Sequence, residues 1–99
     1  MCRRQLYKAL SLLRKEQDVA RFLYDLATPG EIENLAGRLE VARRLDNGES
    51  QRKVSDNTGI SIATVTRVNR FLTRGKSGYA KVLKLLKKST QTDHSRSHT

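Results

Sequence analysis

Apolar positions recur every three or four residues along most of the chain, and Gly, Pro and Asn cut the pattern into segments. Between residues 4 and 26, Leu6, Leu10, Leu13, Val19, Phe22, Leu23 and Leu26 keep helical spacing without Gly or Pro, which predicts helix with a break near Gln17 and Asp18. Thr28-Pro29-Gly30-Glu31 reads as a helix start. Thr28 fits the N-cap, Pro29 the first helical position, and Glu31 the reciprocal partner three residues on. The helix that follows sets Ile32, Leu35, Ala36, Leu39, Ala42 and Leu45 on one face and stops at Asn47-Gly48, a left-handed C-cap. Ser50 caps a short helix over 51–57, Thr58-Gly59-Ile60 makes a tight turn, and Ser61 caps a helix to about Thr73. Gly75 and Gly78 bracket a loop. A last helix over 79–88 is expected to turn Tyr79, Val82, Leu83 and Leu86 inward and Lys81, Lys84, Lys87 and Lys88 to water. No segment alternates with period two, and no internal repeat occurs. The reading is an all-α domain over residues 1–88, followed by a disordered polar tail over 89–99 that carries no apolar side chain.

The segment 51–70 has the pattern that a helix-turn-helix requires. Two helices crossing over a three- or four-residue turn need a residue that tolerates positive φ, and Gly59 supplies it. Val54 is the apolar anchor one turn earlier, with the small Ser55 beside it where the second helix crosses. Ile60, Val65 and Val68 are spaced to point back at the core. Ile62, Ala63, Thr66, Arg67 and Arg70 then fall on the opposite face. That face is basic: from Ser61 to Lys76 there is no Asp or Glu, and Arg67, Arg70 and Arg74 are three and four apart. Such a stripe suits phosphates, and the N–H groups that open the helix at Ser61 offer a second place for an anion.

Charge sharpens this. The 99 residues carry a formal net charge of +10. Nine basic and eight acidic side chains lie in residues 1–49, against eleven basic and two acidic in 50–99, so the excess sits in the second half. A one-sided field of that size implies a polyanionic partner. A chain this short and polar buries a thin core, and self-association would supply the missing burial. Apolar runs reach three residues, far below the ~20 of a spanning helix, and no export signal is expected. Cys2 cannot form an internal disulfide and reads as an incidental terminal thiol in a reducing compartment. His94 and His98 could meet on a helix but lie in the polar tail, so no metal site is expected. No nucleophile–base pair is evident, which argues against an enzyme.

The stretch from Thr28 to about Leu86 resembles the Trp repressor family. The shared text is Thr28-Pro29-Gly30-Glu31, Arg38 ten residues after that threonine, Gly48-Glu49, then Ser50-Gln51-Arg52 and Gly59-Ile60-Ser61-Ile62-Ala63-Thr64-Val65-Thr66-Arg67. Within the family it is most similar to the YerC/YecD branch, with its glycine-bearing loop before a Tyr. Residues 1–27 share helical character only. The resemblance implies a six-helix, interwound homodimer whose outer helices embrace the partner chain, with Tyr7 and Tyr24 in the dimer packing. It also implies that two helix-turn-helix units read successive major grooves, on half-sites one DNA turn apart (~34–36 Å, that family's docking geometry).

Carried over position by position, Gln51 and Arg52 meet the DNA backbone or a guanine edge, and Ser61, Ile62, Ala63, Thr64 and Thr66 open the recognition helix. These residues are too short for bidentate base contacts. Thymine methyl contacts and water-bridged bonds are expected instead, unless the two threonines are merely exposed helix positions. In this family tryptophan lies between two arginines near a threonine, and Arg38, Arg67 and Thr64 match those positions. Val68 replaces a glycine and Phe71 a small serine, so bulk enters the effector pocket. Free tryptophan is expected not to bind usefully, no cofactor is expected, and another carboxylate or phosphate ligand stays open. Arg67 reads equally as a phosphate contact, and Arg38 as a surface ion pair. The expected function is a sequence-specific, double-stranded DNA-binding transcriptional regulator, a repressor, in the bacterial cytoplasm on the nucleoid. The alternative is a nucleoid or interaction protein with loose nucleic-acid binding.

Overall fold

A computed structural model describes the backbone of residues 3–76 and 78–97 and the side chains of residues 3–76 and 78–89. It contains α1 (Arg3–Leu12), α2 (Glu16–Leu26), α3 (Pro29–Asp46), α4 (Gln51–Thr58), α5 (Ile62–Arg74) and α6 (Gly78–Ser97), with no strand among the described residues. The chain divides into two compact units, residues 1–35 and 36–99, with the boundary inside α3.

In the first unit the break between α1 and α2 falls at residues 13–15, earlier than the periodicity predicted. Lys15 is the extended N-cap residue of α2, and its carbonyl accepts from the N–H groups of Asp18 and Val19, each at 3.1 Å. The physical reason is the charge pattern. Glu16 and Asp18 occupy the first turn of α2, where the positive end of the helix favours carboxylates, so Gln17 and Asp18 belong to a start and not to a break. The entry to α3 is as expected. Thr28 N–H donates to Glu31 Oε1 at 2.9 Å, and Glu31 N–H donates to Thr28 Oγ1 at 3.2 Å. The bond from the Thr28 backbone, then that with its side chain, holds the Glu31 carboxyl below its usual pKa.

No described residue of the first unit is buried. Tyr24 is 73% exposed and Leu12 68%, and Leu6, Tyr7, Leu26 and Leu35 are also exposed. The second unit has a closed core of Val41 and Ala42 from α3, Val54 from α4, Val65 and Val68 from α5, and Leu83 from α6. Leu39, Leu45, Ile60, Leu72 and Tyr79 pack around it. Helix α4 packs on α5, and α5 on α6. Gly37 lets α3 run close to the turn after α4, since a Cβ there would stand 3.2 Å from Ile60 Cδ1.

Two expectations about faces need correction. Val41 joins the core although the predicted stripe omitted it, while Leu35 and Ala36, which that stripe included, are exposed. The covered stripe of α3 runs through 41, 42 and 45. Val82 and Leu86, expected inward, are each 43% exposed, and among the described side chains of α6 it is Tyr79 and Leu83 that meet the core. Helix α6 continues to Ser97, through most of the segment expected to be disordered. The reason is that residues 79–97 contain neither Gly nor Pro, and extending a formed helix costs far less than starting one. Cys2 and the side chains of His94 and His98 lie outside the described residues.

Charges in the second unit divide into paired and unpaired. Glu40 takes a two-pronged bond from Arg43, at 2.7 and 2.8 Å, and a third from Arg44 at 2.9 Å. The hydrogen bond from Arg43 is the main cause of a Glu40 pKa lowered to about 2. Arg44 also reaches Glu49 at 3.5 Å, and Lys87 ties α6 to Asp46 at 3.2 Å. No helix among the described residues is long and apolar enough to cross a membrane.

Candidate nucleic-acid interface

The turn between α4 and α5 is set by its own short polar side chains. Gly59 ends α4 at φ +76°, a conformation that costs a residue with a Cβ roughly 1–2 kcal/mol. Ser55 Oγ donates to Ile60 O at 2.6 Å, and Thr58 Oγ1 donates to Val54 O at 2.7 Å while accepting from Ile60 N–H at 3.2 Å. The two helix starts are capped alike. Ser50 accepts from Lys53 N–H at 3.2 Å, and Ser61 accepts from Thr64 N–H at 3.3 Å. With Val54, Val65 and Val68 buried beneath, α5 is held along one face and bare along the other.

That bare face is the one expected from the sequence. Ser61, Ile62, Ala63, Thr66, Arg67, Arg70 and Arg74 are all exposed, and Arg52 is exposed at the start of α4 with Gln51 half-buried beside it. Ile62, at 51% exposure, and Phe71, at 43%, are the exposed large apolar residues of α5. Arg52, Arg70 and Arg74 form no ion pair among the described residues, in contrast with Arg43, Arg44 and Lys87. Arg67 lies over the Phe71 ring, 4.9 Å from its centre, a cation–π contact one helical turn on. Thr66 Oγ1 donates to Gln51 Oε1 at 2.9 Å and so joins α5 to α4 on the exposed side.

A cavity of about 830 Å³ opens beside this face within the second unit. Arg38, Arg67, Val68 and Phe71 line it. Thr64 does not; its hydroxyl accepts from Ser61 Oγ at 3.1 Å as part of the cap of α5. Phe71 stands on the wall under Arg67 and leaves the cavity open instead of plugging it. Lys76 lines the same wall, as do Arg74, expected in the phosphate stripe, and Tyr79 and Val82, expected to face inward. The Arg67–Phe71 contact was detectable from the i,i+4 spacing. The Thr66–Gln51 bond carries no local signal, because its partners are fifteen residues apart.

Six helices and no strand among the described residues, with α4 and α5 joined by a tight turn and a basic outer face, define a helix-turn-helix protein. The chain belongs to the Trp repressor family: the sequence model described as Trp repressor protein matches residues 3–87. It is 41% identical over 91 residues to the Bacillus subtilis (strain 168) protein YerC, spanning 92% of this chain and 86% of that one. It is 43% identical over 58 residues to the "Trp operon repressor homolog" of Vibrio vulnificus (strain YJ016), spanning 58% of this chain and 55% of that protein. In three dimensions it resembles a crystallised TrpR-like protein from Eubacterium eligens ATCC 27750. The TM-score is 0.77 at 36% identity, over 83% of this chain and 84% of that one.

Proposed function

We propose that the chain is a sequence-specific, double-stranded DNA-binding transcriptional regulator, a repressor, acting as a homodimer. The observation that carries this reading is the exposed, acid-free, cationic face of α5 on a turn locked by Ser55, Thr58 and Gly59. Arg52, Arg67, Arg70 and Arg74 supply the salt-dependent phosphate contacts. Gln51 and the first turns of α5, with Ser61, Ile62, Ala63, Thr64 and Thr66, supply register and sequence preference. The bare apolar surface of α1 and α2 supports a second copy as the partner that covers it. No reaction is assigned, and a DNA partner puts the protein in the bacterial cytoplasm, on the nucleoid.

The cavity bounded by Arg38, Arg67, Val68 and Phe71 is its effector pocket, and free tryptophan does not occupy it usefully. One of the two arginines already faces the phenyl ring of its own helix, and valine and phenylalanine take up wall space. Calorimetric titration checks this: clear micromolar heat with tryptophan contradicts it.

In vitro selection of bound duplexes tests the main reading. A regulator prefers its selected site to random DNA by ~10³-fold or more at physiological salt. A ratio near one favours the loose nucleic-acid binder instead.

A further inference from the structure

Helical threonines have an ordinary way to use their hydroxyl, which is to donate to the carbonyl one turn back. Two residues here do so: Thr58 Oγ1 donates to Val54 O at 2.7 Å, and Thr73 Oγ1 donates to Asn69 O at 2.9 Å. Thr66 does not. From the exposed side of α5 it reaches across to the first residue of α4 and donates to Gln51 Oε1 at 2.9 Å.

The chemistry of both groups limits what they can then do. A hydroxyl has one proton, so Thr66 can offer an outside partner only lone pairs while this bond holds. A carboxamide has an accepting oxygen and a donating NH2, and free glutamine can turn either outward. Thr66 takes one of the two lone pairs of Oε1 and holds that oxygen toward α5, so an outside donor has to share it, while the NH2 stays fully available. Bidentate pairing with adenine requires both ends of the amide, the oxygen accepting from N6 and the NH2 donating to N7. Guanine offers N7 and O6, both acceptors, and the NH2 alone satisfies them.

We propose that Thr66 is a positioning residue that fixes the orientation of the Gln51 amide and thereby favours guanine over adenine at the base pair Gln51 faces. This rests on the DNA-binding reading above and deepens it. Thr66 acts through Gln51 and does not itself read a base.

The test compares Thr66→Val, which keeps the shape and removes the donor, with Thr66→Ser, which keeps the donor. Each is made with and without Gln51→Ala. Affinities are measured for the selected site, for its guanine-to-adenine variants and for random DNA, with helix content checked by circular dichroism. Thr66→Val should erase a preference of about tenfold for guanine at one position per half-site. Thr66→Ser should retain it, and Gln51→Ala should make the choice at residue 66 irrelevant. In the free protein, the Gln51 NH2 resonances should shift in Thr66→Val and not in Thr66→Ser.

Three outcomes overturn the proposal: Thr66→Val keeps the preference, its loss adds to that of Gln51→Ala, or it weakens selected and random DNA equally. A wild-type protein with no preferred site removes this proposal and the regulator reading together. A wild-type protein with a site that Thr66→Val reads unchanged removes this proposal alone.

Discussion

The two units of this chain solve the problem of burial differently. Residues 36–99 close a small core of five aliphatic side chains and one alanine, drawn from four helices. Residues 1–35 bury no described side chain, yet they display Leu6, Tyr7, Leu12, Tyr24, Leu26 and Leu35. The second unit has the contacts to hold its shape from within. The first has apolar residues at helical spacing that its own described residues leave exposed. A helical pattern in sequence therefore predicts that a face will be covered, and does not say by which molecule.

The largest effect that could break this contrast concerns the outer helices. Leu12→Glu combined with Tyr24→Glu should separate the proposed dimer, and affinity for a two-half-site duplex should fall roughly 10²- to 10⁴-fold as the second contact becomes bimolecular. Sedimentation and DNA titration check both parts; an unchanged dimer would mean that these residues do not make the interface. Next, core truncation should matter only in the second unit. Val65→Ala should cost roughly 2–3 kcal/mol in urea unfolding, whereas Leu12→Ala in the separated chain should stay within about 0.5 kcal/mol. Comparable losses at both positions would erase the distinction.

Gly59→Ala should cost about 1–2 kcal/mol, since an alanine there must take φ near +76°. Calorimetry should show the melting temperature falling by ~4–8 °C per kcal/mol lost. Arg70→Ala should leave stability within about 0.5 kcal/mol. It should weaken selected and random DNA by the same factor and flatten the salt dependence by about one phosphate contact.

The smallest effect belongs to Glu40. Its carboxyl is held at about 2 by Arg43 and Arg44, below the ordinary value of 4.5. The stabilisation is fully present above pH 4.5 and is lost as the pH falls through about 2. The pair is substantially exposed, so the loss should be slight. Acid titration followed by NMR should show the Glu40 midpoint rising toward 4.5 in Arg43→Ala.

Much of the second unit was legible in the sequence because its determinants are local. Gly59 needs positive φ, Ser50 and Ser61 stand at N-caps, and Val54, Ile60, Val65 and Val68 keep the spacing a crossing pair demands. The Thr28–Glu31 box was equally readable. What stayed hidden depends on partners distant in sequence. Val41 enters the core because of what α4, α5 and α6 place around it. Lys76 and Tyr79 come to the cavity wall through a loop whose course no periodicity encodes. Thr66 meets Gln51 only once two helices have crossed.

The corner between α4 and α5 closes through bonds that all lie within residues 54–65. Short loops of this kind form quickly and depend little on the rest of the chain. On the homodimer reading proposed above, the helix-turn-helix takes shape before two copies meet. Pairing in the proposed dimer is then the slow, concentration-dependent event, so the amount of assembled protein would follow the quantity of chain synthesised.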